Sequence, residues 1–142
     1  MAAKSTYLDN AVLNHVLRNT ALTSPPAVFA GLFTVAPTAG TPGSVPSTSG
    51  TEVSGGSYAR VAVTFGAPSI DICTNTPTVV FPTATALWGT VVAVGIFDGS
   101  SNLLYFGTLS LAKIVDNGDT ASFGVAALSI TEQLGIVTLV FS

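Results

Sequence analysis

Residues 89–111, GTVVAVGIFDGSSNLLYFGTLSL, indicate the fold class of this chain most directly. Two apolar runs, Gly89–Phe97 and Leu103–Leu111, flank the polar segment Asp98–Asn102. Asp-Gly is a favoured turn pair because glycine adopts positive φ without a steric penalty and Asp bonds to the local backbone. The pattern therefore predicts an antiparallel β-hairpin.

Short apolar runs continue on both sides of this hairpin. In Ala27–Val35 both alternating sets of side chains are apolar, as in a strand buried on two faces, whereas Tyr58–Phe65 alternates apolar with more polar positions. Four more strand candidates share this length and composition: Thr78–Phe81, Thr120–Ala126, Leu128–Thr131 and Ile136–Phe141. Many short strands between turns predict a mainly β fold, either an antiparallel β-sandwich or a barrel-like domain.

One segment near the N-terminus has helical periodicity instead. In Ser5–Asn19, side chains at helical spacing converge on a face that includes Leu8, Val12 and Val16. Thr6 followed by Asp9 resembles a capping box. We expect one N-terminal α-helix, whose apolar face packs on the chain's own sheet or on a neighbouring subunit.

Two segments fall outside this pattern of strands. Pro37–Gly50 consists almost entirely of Pro, Gly, Ser, Thr and Ala, and it predicts a flexible surface loop. Residues 133–142 contain the uncharged run Ile136–Phe141, which predicts a terminal strand or arm that pairs with a neighbour or completes the chain's own sheet. We expect residues 1–142 to form a single domain.

The charge content is unusually low. Charged residues make up 8% of the chain, against about 25% in typical soluble domains. A surface with so few charges is typical of proteins that bury it by assembly, so we expect a homo-oligomer. The net charge is −3 and the basic residues are scattered, which argues against nucleic-acid binding.

No membrane or export signal is apparent in the sequence. The longest apolar run, Val91–Phe97, is far shorter than the ~20 residues of a membrane-spanning helix. The first ten residues lack the pattern of a secretory signal, so we expect synthesis in the cytoplasm and no membrane partner. The single cysteine, Cys73, is expected to be a small buried hydrophobic residue.

The residues that usually carry chemistry are isolated. His15 is the only histidine and has no obvious acidic partner, so a packed or capping role is favoured over a hydrolase triad assembled from distant segments. Asp98, Asp116 and Asp119 fall in predicted turns, where a structural role is favoured over a cation site. We expect no enzyme activity, no metal site and no cofactor.

The candidate functional residues are therefore those of an assembly interface. Tyr58 and Trp88 lie beside glycines at the ends of predicted strands, where aromatic side chains could anchor a partner. The complete predicted interface combines these with aliphatic and aromatic residues of the helix and the C-terminal run: Leu8, Val12, Val16, Tyr58, Trp88, Ile136, Leu139 and Phe141.

The order of the sequence motifs resembles that of a family of small bacteriophage structural proteins described as tail fibre proteins. The resemblance covers about residues 6–131 and is most specific at Tyr58-Ala59-Arg60, at the preceding Glu52–Gly56, and from Trp88-Gly89 to Phe97-Asp98. Its other motifs are LDNAVLNHVLRNT, PAVFAGLF, FPTAT, LLYFGTL and GDTASFGVAALSIT. The resemblance implies a virion component without catalysis and supplies no active-site residues. The segments Pro37–Gly50 and 133–142 depart from the family pattern.

Two functions fit this resemblance. The favoured one is a capsid decoration, or cement, protein that self-associates, as a trimer or another ring, and bridges subunits of the major capsid protein. The alternative is a tail fibre or tail-tip protein that binds a host receptor and contacts other tail proteins. In both cases the protein would reside in the virion after synthesis in the host bacterial cytoplasm.

Overall fold

The computed structural model describes residues 2–40 and 50–132 of the 142-residue chain. These residues form one helix, α1 (Thr6–Arg18), and ten strands. The strands are β1 (Ala2–Lys4), β2 (Val28–Val35), β3 (Thr51–Glu52), β4 (Val61–Val63), β5 (Ile72–Thr74), β6 (Val79–Val80), β7 (Gly89–Phe97), β8 (Leu103–Val115), β9 (Ser122–Phe123) and β10 (Ser129–Thr131). The predicted mainly β class with a single N-terminal helix is confirmed.

Six strands build one antiparallel sheet in the order β1-β8-β7-β2-β3, with β4 also paired to β2. β7 and β8 form the predicted hairpin, closed by Asp98, whose carboxylate accepts hydrogen bonds from the N–H groups of Ser100 and Asn102 at 2.8 and 2.9 Å. β2 is central because β7 pairs with one of its edges and β3 and β4 share the other.

Two small antiparallel ribbons, β5-β10 and β6-β9, cover one face of this sheet. The main core lies between the layers, where Leu32 and Ile96 of the sheet pack with Val79 and Leu128 of the ribbon side. This packing of two antiparallel layers corresponds to the predicted sandwich.

Asn75 joins the two ribbons and is 0% exposed. Its side-chain amide donates to the carbonyls of Pro77 and Gly124 at 2.9 and 3.0 Å, and its side-chain oxygen accepts from the N–H of Leu128 at 2.9 Å. A buried amide with every polar atom bonded fixes the relative position of the segments it joins. No local sequence pattern predicts this role.

The opposite face of the sheet carries a second, smaller core. Phe33 and Phe97 stack there with ring centroids 5.9 Å apart, and Leu103 and Phe106 complete the cluster. Gly95 lies beneath these rings, and a Cβ atom at this position would stand 2.7 Å from Phe33 and 2.8 Å from Leu103. A glycine is therefore required for the aromatic pair to approach the sheet.

The strand boundaries correct several predictions. The Gly89–Phe97 prediction is confirmed, whereas β8 continues four residues beyond the predicted Leu111. In Tyr58–Phe65 only Val61–Val63 forms a strand. Tyr58 instead closes a turn, since its N–H donates to Gly55 O at 2.9 Å.

Two further differences concern segments that were not predicted as strands. Ile72–Thr74 forms β5, although its short run ICT shows too little alternation to predict a strand. Thr51–Glu52 forms the short strand β3. Cys73 is partly exposed, so the prediction that it is fully buried is wrong.

The helix begins one residue earlier than the predicted capping box. Ser5 is the N-cap, and its Oγ accepts from the N–H of Leu8 at 3.2 Å and donates to Leu103 O. Ser5 takes this role rather than Thr6 because its own N–H is fixed to Leu104 O at 2.7 Å. Asn19, with φ of 53°, ends the helix as predicted.

The structure does not test the predictions for two segments, because most of their residues lie outside the described part of the chain. Residues 41–49 of the predicted loop and the whole of the predicted strand Ile136–Phe141 are among the positions that the structure does not describe. Within the described ranges, no helix combines the length and apolar character needed to cross a bilayer.

Candidate assembly interface

The motif EVSGGSYAR, residues 52–60, folds into a compact ionic cluster. Arg60 donates from Nε and Nη2 to the two carboxylate oxygens of Glu52 at 2.8 and 2.7 Å. Tyr58 Oη donates to Glu52 Oε1 at 2.7 Å and accepts from the N–H of Leu32 at 2.8 Å. The guanidinium carbon lies 3.5 Å from the ring centroid of Phe97. We call Glu52, Tyr58 and Arg60 the clasp, because they fasten β3 and the start of β4 to the central strand β2.

The electrostatics of the clasp favour its charged, closed form. Burial raises the pKa of Glu52, but the hydrogen bonds from Arg60 and Tyr58 outweigh this and hold the pKa below its usual value. Burial and the bond to Glu52 raise the pKa of Tyr58, and the same carboxylate raises the pKa of Arg60. At neutral pH none of the three groups exchanges a proton, and all three are engaged within the chain. The clasp is therefore a structural element that holds the chain together.

Trp88 and Tyr58 belong to the chain's own core. Trp88 is 5% exposed, and its indole N–H donates to Gly56 O at 2.9 Å. The two rings meet edge to face with centroids 5.3 Å apart, and Tyr58 also stacks on Phe81. Trp88 is thus covered within the chain and Tyr58 is partly covered, and a role of these two rings at an interface stays a prediction.

The isolated polar residues have local backbone partners. His15 Nδ1 lies 3.3 Å from the N–H of Leu22, so the ring ties the segment after the helix to α1, in agreement with the predicted capping role. Asp119 accepts from the N–H of Asp116 at 2.9 Å, and the turn roles of Asp98 and Asp119 are confirmed. Over residues 2–40 and 50–132, no group of three or more potential metal ligands comes together.

The exposed part of α1 is the first unpartnered apolar surface. No residue of this helix is buried, and although the helix packs against β8, Leu8 and Val12 are only partly covered. Leu13, Val16 and Leu17 are 54%, 69% and 73% exposed. We call these three residues the helix patch. The predicted interface residue Val16 is thus available to a partner in this conformation.

A groove between the main sheet and the β5-β10 ribbon is the second apolar surface. It has a volume of about 330 Å³, and its walls include Val28, Phe65, Ile96, Leu104 and Ile130. Asp71, Cys73, Tyr105 and Glu132 also line it. The groove was not predicted, because its residues come from segments far apart in sequence.

The rim of the groove is acidic. Glu132 accepts a hydrogen bond from Tyr105 Oη at 2.6 Å and pairs with Lys4 Nζ at 3.2 Å. Lys4 also pairs with Asp9 of α1 at 3.6 Å, so the first turn of the helix lies beside this rim. Asp71 is exposed, and no cationic side chain of the described chain lies within ion-pair distance of it.

A third exposed apolar region lies on β8. The ladder between β7 and β8 passes from the pair Val91 and Lys113 to the pair Ala93 and Thr108, which leaves a bulge on β8 between them. Leu111 and Ile114, in and beside this bulge, are 67% and 64% exposed. The remaining predicted interface residues, Ile136, Leu139 and Phe141, lie outside the described residues.

Comparison with known proteins agrees with this picture of a small β-rich protein. A search among curated proteins finds no match to the chain. The family model described as podophage GP4 fiber I protein gp80 matches residues 3–131, which is most of the chain and includes the clasp, the hairpin and the groove walls. The chain therefore belongs to the podophage GP4 fiber I protein gp80 family, a family of small, fibre-like structural proteins of the phage virion.

Proposed function

We propose that this protein is a non-catalytic fibre subunit that acts as a homo-oligomeric ring in the phage tail. The observation that carries this proposal is the helix patch, because a folded chain of such low charge leaves a helix with no buried residue. An isolated helix of 13 residues is marginal in water, so α1 gains stability when a partner covers it.

The size of the helix patch indicates that it works together with a second contact. Full burial of an aliphatic side chain contributes about 1.5–3 kcal/mol, so three give about 5–9 kcal/mol. Association costs roughly 4–15 kcal/mol in lost translational and rotational freedom. The helix patch alone therefore supports only a weak contact, and a stable ring requires a second complementary surface.

The fibre role takes precedence here over the capsid decoration role that the sequence alone favoured. The family description refers to a fibre protein, which supports the tail-fibre alternative, and it carries no reference to the capsid. The same apolar surface would serve a cement protein, so the decoration role stays a prediction, as does contact with the major capsid protein.

Imaging of purified virions at a resolution that traces this chain tests the proposal. We expect a small number of copies, arranged with rotational symmetry, on the tail. A regular lattice of hundreds of copies over the head would overturn the fibre role in favour of the cement role.

Receptor binding by the fibre needs a separate measurement, in which labelled purified protein is titrated onto host cells. Saturable binding that unlabelled protein displaces is the expected result. If the protein is found on the tail but binds no host cells, it is a structural tail component and the receptor binding predicted from the sequence is wrong.

A further inference from the structure

We infer that the groove of one subunit receives the end of α1 from a second copy of this chain, with Val16 and Leu17 inside the groove and Arg18 at its acidic rim. The inference rests on the proposed self-association and identifies its two contact surfaces. It pairs the two apolar surfaces that the chain leaves open.

The two surfaces match in chemistry. The walls of the groove are aliphatic and aromatic, and its volume of about 330 Å³ can hold a few aliphatic side chains. Val16 and Leu17 are the most exposed members of the helix patch, at 69% and 73%. Inserting them would remove apolar surface from water on both partners.

The charges are also complementary. Arg18 is exposed, and its Nη1 donates within the helix to Asn14 Oδ1 at 3.2 Å. A guanidinium has five N–H donors and commonly binds a carboxylate with two of them. Asp71 at the groove has no cationic partner in the described part of the chain, so it is the carboxylate that Arg18 of the second copy would reach.

The helix of the same chain does not fill the groove in this conformation. Lys4 bridges Asp9 in the first turn of α1 and Glu132 at the rim, which places the start of the helix beside its own groove. Arg18 is nine residues further along the helix, about 14 Å at 1.5 Å per residue. None of the residues that line the groove belongs to α1, so the groove is open to the helix end of a second copy.

A contact between two different surfaces has a consequence for symmetry. Such a head-to-tail contact generates a ring when the rotation between subunits closes, whereas a contact between identical surfaces gives a dimer. The inferred pairing fits a trimer or another ring, and it also fits a two-fold dimer in which each groove receives the helix end of the other subunit.

Cysteine crosslinking tests the contact directly, because the groove already contains the native thiol of Cys73. In the full-length Leu17→Cys variant, mild oxidation with copper phenanthroline should link subunits through a disulfide to Cys73. Adding Cys73→Ser should abolish this product. Leu87→Cys, at a position that is 64% exposed and away from the helix, is the matched control and should give at least tenfold less product.

Reversing charges tests the ionic part of the contact. Arg18→Glu and Asp71→Arg should each raise the dissociation constant of the oligomer at least tenfold, measured by sedimentation velocity. The double variant should return to within about threefold of the wild type. Circular dichroism checks that each variant is folded.

The outcomes separate this inference from the proposed function. A monomeric wild-type protein at all concentrations would overturn self-association itself. An oligomer that is unaffected by the charge reversals and lacks the Cys73 crosslink would overturn only the pairing of helix and groove. If crosslinking of Leu17→Cys persists when Cys73→Ser is added, the contact is between identical helices. If the oligomer is lost only on removal of residues 133–142, that segment is the occupant of the groove. Either result would contradict the inference.

Discussion

The clasp and the helix patch lie in the same small protein but differ in their exposure to solvent. In the clasp, charged and aromatic side chains turn inward and find every partner within the chain. In the helix patch, aliphatic side chains remain in solvent. The clasp residues stabilise the folded subunit, whereas the residues of the helix patch are available for assembly. Residue type alone would have predicted the opposite, with charged side chains exposed and aliphatic side chains buried.

The sharpest test of this contrast is to remove the buried ring next to the clasp. Trp88→Ala should lower the free energy of unfolding by about 3–5 kcal/mol, because it leaves a cavity and removes the bond to Gly56. Urea denaturation followed by circular dichroism measures the loss. The neighbouring Leu87→Ala, at an exposed position, should change stability by less than about 0.5 kcal/mol. Equal losses in both variants would mean that Trp88 is not the core residue described here.

A smaller effect is expected for the carboxylate of the clasp. Glu52→Gln keeps the shape of the side chain but removes the charge that Arg60 and Tyr58 bind, and we expect a loss of about 1–3 kcal/mol. The control is Glu132→Gln, whose ion pair with Lys4 is more exposed and should contribute at most about 1 kcal/mol. If Glu132→Gln lowers the free energy of unfolding more than Glu52→Gln does, the ion pair at the rim, and not the clasp, contributes more to stability.

The pH dependence of stability gives a further test. The pKa of Glu52 is lowered by folding, so its contribution is fully present above its ordinary value of 4.5 and is lost as the pH falls through the lower folded value. We expect the difference in unfolding free energy between wild type and Glu52→Gln to be constant above pH 5 and to shrink in more acidic solution. Denaturation curves at a series of pH values measure it. A difference that grows on acidification would have the wrong sign for this assignment.

The smallest effect on the subunit itself is expected at the helix patch. Leu17→Ser, measured at protein concentrations where the subunit is monomeric, should change unfolding free energy by less than about 0.5 kcal/mol, as for other exposed sites. The same variant should weaken the oligomer in sedimentation velocity. A large loss of subunit stability with unchanged assembly would mean that Leu17 stabilises the subunit and not the oligomer, which is the opposite of the expected result.

Part of the candidate site could be predicted from the sequence. Helical spacing placed Leu8, Val12 and Val16 on one face, and the low charge predicted exposed apolar surface. The roles of Tyr58 and Trp88 could not be predicted, because an aromatic residue beside a glycine fits a core and an interface equally well. The groove was missed since its walls, such as Phe65, Leu104 and Ile130, come together only after both layers have folded.

The features that depend on neighbours along the chain could be predicted from the sequence. Alternation of side chains set β2 and β7, turn chemistry set the hairpin at Asp98, and helical spacing with Asn19 set the extent of α1. Which side chains are buried within the subunit and which remain exposed depends on the tertiary structure. Burial of Trp88, the position of Asn75 between two ribbons and the choice of Ser5 as the helix cap each depend on backbone groups distant in sequence, and local patterns carry no information about those partners.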